Sequence, residues 1–240
     1  MMWLLFSSED DGDDERCDLD VEAGAAGVDP KTIGDLAIST DGLKVFFVRR
    51  STNGANPDMD RLYRYDLTTP YDISTCYYVE DINPDTDALA LGSTAVGDRG
   101  DVTRNHVQGV EINPAGTKIF LTFNDASGTT DGIKEFSLST PFDITTMSLV
   151  KSAGISLETA ANDNPDAIFF GLNGKRAFVT DHNRLTVTQF TLTNPYDTSS
   201  FTNDGEININ TLTPGTNNQT RAIAFSKNGL KLFVSDDTGN

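Results

Sequence analysis

Apolar and polar residues alternate with a period of two along most of the chain, and the alternation recurs four times around a glycine. The four segments are Leu36–Phe47, Val110–Leu121, Ile168–Val179 and Ile223–Val234, centred on Gly42, Gly116, Gly174 and Gly229. Four residues after each glycine stands Phe46, Phe120, Phe178 or Phe233, and two after it Lys44, Lys118, Arg176 or Lys231. Four before it stands Ile38, Ile112, Phe170 or Phe225, and six before it Leu36, Val110, Ile168 or Ile223. Alternation on both sides of a glycine predicts a β-hairpin. Asp41, Asn173 and Asn228 precede three of the glycines, and such pairs tolerate positive φ in tight hairpins.

A second motif follows three of the hairpins: Tyr65–Thr75, Phe136–Thr146 and Phe190–Ser200. The alternating Tyr65/Leu67, Phe136/Leu138 and Phe190/Leu192 predict a third strand. Pro70, Pro141 and Pro195 end it, because proline cannot donate to a ladder. Asp72, Asp143 and Asp197, two residues on, are placed to close Asx-type turns. A fourth strand is expected at Cys76–Glu80, at Thr146–Val150 and around Glu206–Ile209. Tyr71, Phe142 and Tyr196 recur at one position, where they are expected to pack between blades rather than to form a ring of sugar-stacking platforms.

No stretch keeps a helical period, so the chain is expected to be all-β. Four strands per unit of roughly 55 residues point to a β-propeller of four-stranded antiparallel blades, in preference to a β-sandwich or a solenoid. The hairpin resembles the S-x-D-G-K signature of YVTN-like bacterial propellers. Together with segments such as Leu138-Ser139-Thr140-Pro141-Phe142-Asp143-Ile144-Thr145-Thr146, it is similar to repeats of secreted bacterial proteins and of marine phage tail-associated proteins. The resemblance covers nearly the whole chain and implies a propeller scaffold in an extracellular, cell-surface or virion setting. It implies no set of catalytic residues.

The repeat predicts a single domain over residues 1–240, with blades at about 33–82, 107–155, 165–210 and 221–240, the last completed by residues 1–22. In this reading Met1–Phe6 is the third strand of the composite blade and Cys17–Val21 its fourth. From Glu9 to Gly42 is 33 residues, matching the 33 from Pro141 to Gly174 and the 34 from Pro195 to Gly229. Closure within one chain makes a four-bladed ring, and closure between two chains an eight-bladed dimer. Cys17 and Cys76 then lie on outer strands of neighbouring blades, which diverge, so the two are expected not to be bonded to each other. Phe46, Phe120, Phe178 and Phe233 are expected to be buried and equivalent, each on a second strand facing a neighbouring blade.

Charge narrows the function. With 18 Lys plus Arg against 36 Asp plus Glu, the net charge is −18. That balance argues against nucleic acid and against an anionic membrane surface. Met1–Phe6 is too short for a membrane span or a signal-peptide core. Acidic clusters bring calcium into consideration, with Asp85, Asp87 and Asp163 as the candidate ligands, although no twelve-residue calcium loop is spelled. Arg99-Gly100-Asp101 spells an adhesion tripeptide inside the longest insertion: Pro70 to Gly116 is 46 residues. His106 and His182 fall in different loops, and each is read as an ordinary surface histidine.

Asp35, Glu111, Asp166 and Arg221 lie near the starts of the four innermost strands, where they can converge on a central channel with Arg221 neutralising part of the acidic ring. The leading expectation is a non-enzymatic structural or recognition propeller, on a phage particle or a cell surface, bound to a protein assembly or a surface glycan. The alternative is a propeller enzyme of the lactonase or sugar-processing kind, with its site in the central channel.

Overall fold

The computed structural model describes residues 33–49, 61–84, 106–124, 132–150, 164–209 and 219–237. Blade 1 is formed by β1 (Ile33–Ile38), β2 (Lys44–Arg49), β3 (Arg61–Leu67) and β4 (Cys76–Ile82). Blade 2 is formed by β5 (His106–Ile112), β6 (Lys118–Asn124), β7 (Gly132–Leu138) and β8 (Met147–Leu149). Blade 3 is formed by β9 (Pro165–Gly171), β10 (Arg176–Asp181), β11 (Thr186–Leu192) and β12 (Phe201–Asn208). In blade 4 the described strands are β13 (Gln219–Phe225) and β14 (Leu232–Asp237). Each sheet is an antiparallel meander in chain order, and β1 packs on β5, β5 on β9 and β9 on β13. This is the expected four-bladed β-propeller architecture, with the first strand of each blade innermost. The composite blade is an expectation about residues 1–22, which lie outside the described residues.

The hairpin turn is longer than a two-residue one. Gly42 N–H donates to Ser39 O at 2.8 Å, and the strands begin pairing at Ile38 and Val45. Asp41 and Asn228 are not at positive φ; only Asn173 is, at 55°. Asp41 uses its side chain instead, with Oδ1 accepting from Leu43 N–H at 3.0 Å, and Asn228 does the same for Leu230. The glycine itself takes the left-handed conformation, at φ 73° in Gly42 and 67° in Gly116.

The second motif locks onto that glycine. Tyr71, Phe142 and Tyr196 are themselves at positive φ, and each N–H donates to the glycine carbonyl, Tyr71 to Gly42 at 2.9 Å and Phe142 to Gly116 at 2.8 Å. Their rings cover the glycine so closely that a Cβ on Gly42 would lie 2.4 Å from Tyr71. The recurring aromatics therefore pack first on the turn of their own blade rather than between blades: Phe142 also stacks near Phe46 of blade 1, Tyr196 meets Phe170 of its own blade, and Tyr71 stays 64% exposed. Asp72, Asp143 and Asp197 cap the following single turns, accepting from Ser74, Thr145 and Ser199 N–H, so the Asx reading holds. The fourth strand of blade 3 begins at Phe201, five residues before the expected start.

Two cores fill the inter-blade spaces. Ala37, Phe46, Val48 and Leu62 of blade 1 meet Val107, Val110, Ile112 and Ile119 of blade 2. Phe120 and Ile133 of blade 2 meet Ile168, Phe170 and Val179 of blade 3. The four phenylalanines occupy one register, opposite Ala37, Glu111, Phe169 and Ala224. Their burial differs: Phe46 and Phe120 are fully buried, Phe178 is half-buried against Phe225, and Phe233 is 57% exposed. Among the described residues no sheet follows blade 4 and none covers Phe233.

Cys76 is disulfide-bonded, and Cys17 is the only other cysteine in the chain. The expectation that the two are not bonded to each other falls on Cys17. Cys17 itself lies outside the described residues.

Candidate functional site

Each innermost strand slips register once against its neighbour, and always at the same place. The slip falls between Ile33 and Leu36 in β1 and between Val107 and Gly109 in β5. In β9 it falls between Pro165 and Ile168, and in β13 between Thr220 and Ile223. Such a bulge bends the strand and re-aims its side chains. Hydroxyls opposite the bulge satisfy the freed backbone: Ala167 N–H donates to Thr180 Oγ1 at 2.9 Å and Ala222 N–H to Ser235 Oγ at 3.0 Å. The re-aimed positions hold Gly34 and Asp35, Gln108, Asp166 and Arg221.

Neighbouring blades touch at these bulges. Asp35 Oδ1 accepts from Leu36 N–H at 2.9 Å, and its Oδ2 accepts across the blade boundary from Val110 N–H at 3.3 Å. Thr122 Oγ1 donates to the Asp166 carbonyl at 2.8 Å. Only glycine fits at position 109, because a Cβ there would lie 2.3 Å from that carbonyl oxygen.

Asp166 is the centre of the cluster. It is buried, and its Oδ2 sits 3.5 Å from Arg221 Nη1 and 3.2 Å from His182 Nδ1. Arg221 therefore does neutralise one of the acidic groups. The surface reading of His182 is corrected. Its loop follows β10, and β10 runs antiparallel to β9, so the end of β10 lies beside the start of β9, with Asp181 opposite Pro165. His182 N–H donates to Asn164 O at 2.9 Å, and its side chain is only 13% exposed. A carboxylate only accepts, so the hydrogen bond puts the proton on Nδ1 and leaves Nε2 as the basic nitrogen. Asp166 Oδ1 and Asn164 Oδ1 are buried acceptors with no protein partner.

Asp35 and Glu111 are half-buried. Burial pushes the Asp35 carboxyl from 3.8 up to about 7, against the pull of its two backbone donors, with Asp166 adding to the rise. Burial, and then the charge of Asp35, push Glu111 from 4.5 to about 8. Burial also raises the Tyr196 phenol, with a further contribution from Glu111. Two carboxyl groups are thereby poised near neutrality, where proton exchange is most useful.

The structure places Asp35, Asp166 and Arg221 at the bulges near the starts of their strands, with His182 and Asn164 beside Asp166; Glu111, expected at the start of its strand, is instead the sixth of the seven residues of β5, past the bulge and opposite Phe120, and is coupled to this group through the charge of Asp35. The signal for His182 was only the hairpin itself, which returns the end of β10 to the start of β9; the register places Asp181 opposite Pro165, and His182 and Asp166 each follow one of these by one residue. Arg99, Asp101, Asp85, Asp87 and Asp163 lie outside the described residues. Among the described residues no group of three or more acidic, histidine or cysteine side chains is arranged to hold a metal ion. No described helix is long and apolar enough to cross a membrane.

No protein-family model matches the chain, and no curated protein matches it. Solved propeller structures do. A periplasmic gluconolactonase of Pseudomonas aeruginosa superposes with TM-score 0.53 at 15% identity, over 84% of this chain and 49% of that one. A Bacteroides fragilis protein provisionally assigned as a 6-phosphogluconolactonase gives 0.51 at 17%, over 85% and 63%. A Lactobacillus plantarum protein gives 0.50 at 14%, over 86% and 64%. The chain spans about half to two thirds of the length of these neighbours. At such identities they establish the fold. The expectation of a non-enzymatic structural or recognition component, on a virion or cell surface, is overturned by the same findings. Of these three, the two whose names state a function are a gluconolactonase and a provisionally assigned 6-phosphogluconolactonase, and neither name is that of a virion component.

Proposed function

We propose that the chain belongs to a propeller hydrolase that opens sugar-derived lactones at the mouth of its central channel. The observation that carries this reading is the Asp166 carboxylate bridging His182 and Arg221 beside two carboxyl groups poised near neutrality. The lactonase names among similar propellers support the substrate class. Fold alone would not assign the chemistry.

In this reading His182 Nε2 takes a proton from water as the oxygen attacks the lactone carbonyl carbon. Arg221 stabilises the oxyanion that develops there. The ring C–O bond breaks, and Asp35 or Glu111, still protonated near neutral pH, donates its proton to the departing ring oxygen. The product is an open hydroxy acid. His182 returns its proton to the carboxylate through solvent, so the cycle closes. The buried acceptors Asp166 Oδ1 and Asn164 Oδ1 suit the hydroxyl donors of a polyol substrate.

The compartment proposed is periplasmic or extracellular. The disulfide at Cys76 favours an oxidising environment, and one similar propeller is named as periplasmic.

The test is hydrolysis of glucono-δ-lactone followed by pH-stat above the uncatalysed rate. The intact protein is expected to accelerate it, and His182→Ala to lower kcat by about 10²–10⁴-fold. A rate equal to the buffer blank, or an unchanged rate in His182→Ala, refutes the reading.

A further inference from the structure

We propose that Asp181 is the positioning residue of the site, the buried carboxylate that holds the His182 turn, the start of β9 and the start of β13 in one arrangement. The proposal rests on the reading of His182 as the base of the site. Asp181 is the last residue of β10 and is fully buried. Its Oδ2 accepts at 3.0 Å from the N–H of Asn164, two residues before Asp166. Its Oδ1 accepts from Arg184 N–H at 2.8 Å and so closes the four-residue turn that His182 opens. Its carbonyl accepts at 2.7 Å from Oγ1 of Thr220 in blade 4, one residue before Arg221.

These bonds interlock. His182 N–H donates to Asn164 O at 2.9 Å while Asn164 N–H donates to Asp181, so the end of β10 and the start of β9 are tied twice. The imidazole of His182 and the carboxylate of Asp166 therefore extend from backbones fixed relative to each other, which a 3.2 Å contact between Nδ1 and Oδ2 requires. Thr220, itself fully buried, ties the strand that carries Arg221 to the same point from the next blade. A fully buried carboxylate is costly unless donors surround it, and backbone N–H groups on two separate segments supply them here.

The repeat does not demand a carboxylate at this place. Asp181 stands seven residues after Gly174, and the places seven after Gly42 and Gly116 hold Arg49 and Phe123, so blades 1 and 2 form without one. An aspartate recurs at Asp236 of blade 4. Blade 3 also supplies Asn164, Asp166 and His182, so the departure from the pattern falls in the blade that carries most of the site. Because Asp181 is fully buried, it acts through His182 and not on substrate.

Imidazole nitrogen NMR of the full chain tests the idea without any substrate. His106 and His182 are the only histidines, and His106→Gln removes the other set of signals. In the parent, His182 should be held as the Nδ1–H tautomer. In Asp181→Asn the single amide oxygen cannot accept from both Asn164 and Arg184 N–H. One tie is lost, and the His182 nitrogen shifts should move toward those of a free imidazole in mixed tautomers. The kcat for lactone opening should fall by about 10²-fold, with KM changed less than about threefold. Glu135→Gln is the control for a purely structural loss. Glu135 is buried too, but it accepts from Thr198 N–H in the turn between β11 and β12, at the end of β11 opposite the His182 turn, so its loss should leave the His182 shifts in place. Unmoved shifts in folded Asp181→Asn, equal movement in Glu135→Gln, or an unchanged kcat where the parent opens lactones overturns the proposal. If Asp181→Asn does not fold, Thr220→Val, which removes only the hydroxyl on the Asp181 carbonyl, decides: moved His182 shifts support the proposal and unmoved ones overturn it. A chain that shows these shifts but opens no lactone faster than the buffer refutes the lactonase reading and leaves Asp181 in its role.

Discussion

Replacing Asp35 by Asn removes a carboxyl group whose ionisation the fold opposes, and the consequence for stability follows from linkage. The Asp35 carboxyl stands at about 7 in the folded chain and 3.8 when unperturbed. Between those values the folded state binds the proton more tightly than the unfolded state does. Stability contributed by the neutral form is therefore complete below pH 3.8, and it is lost as pH rises through 7. The full difference corresponds to about 4 kcal/mol. Residual solvent contact of Asp35 reduces the expected effect to about 2 kcal/mol. Asn keeps an oxygen for one of the donors, Leu36 or Val110 N–H, without ever ionising. Urea denaturation of both proteins from pH 3.5 to 9 measures the effect. The variant and the parent should be equally stable near pH 3.5. The variant should gain steadily to about 2 kcal/mol above pH 8, while its lactone-opening rate falls. The background of the other carboxylates cancels in the difference. A difference that does not vary with pH, or one that favours the parent at high pH, would show that Asp35 is not held in its neutral form.

Phe120→Ala should cost about 3–5 kcal/mol in urea denaturation because Phe170 and its neighbours cannot close the space, whereas Phe233→Ala should cost under about 1 kcal/mol. Equal costs would mean that the two faces are equally covered. Gly109→Ala forces a Cβ against the Asp166 carbonyl and should destabilise by about 1–3 kcal/mol while lowering kcat more than it raises KM; an unchanged melting temperature would refute the close approach of β5 and β9. Asp166→Asn should depress kcat strongly, since His182 loses the carboxylate that orients its ring. An unchanged kcat would remove Asp166 from the site.

Much of this molecule was legible from local chemistry. A glycine flanked by alternating apolar residues, with proline, an aromatic residue and aspartate at fixed offsets, specifies hairpin, strand end and capped turn through interactions within a few residues. Asp72, Asp143 and Asp197 each cap their own turn, which needs no knowledge of the rest of the chain. Repetition of that pattern then dictates blades, since each unit leaves apolar faces that only another unit can cover. The position of Asp35, Asp166 and Arg221 at one end of their strands was legible too, because near-equivalent places in equivalent blades share one end of the propeller; Glu111 is further along β5, in the register of Ala37.

Tertiary structure decided the rest. The bulges in β1, β5, β9 and β13 turn Asp166 toward His182 and Arg221, and a register slip is a compromise between two strands and their neighbours, not a preference of either sequence. The neutrality of Asp35 and Glu111 arises from protein supplied by adjacent blades, so no local reading could anticipate it. The same holds for Phe233, whose place in the repeat is that of Phe46 and Phe120 but whose environment is open. Side-chain pattern determines which face is apolar; whether that face meets protein or water depends on what stands on the other side of it.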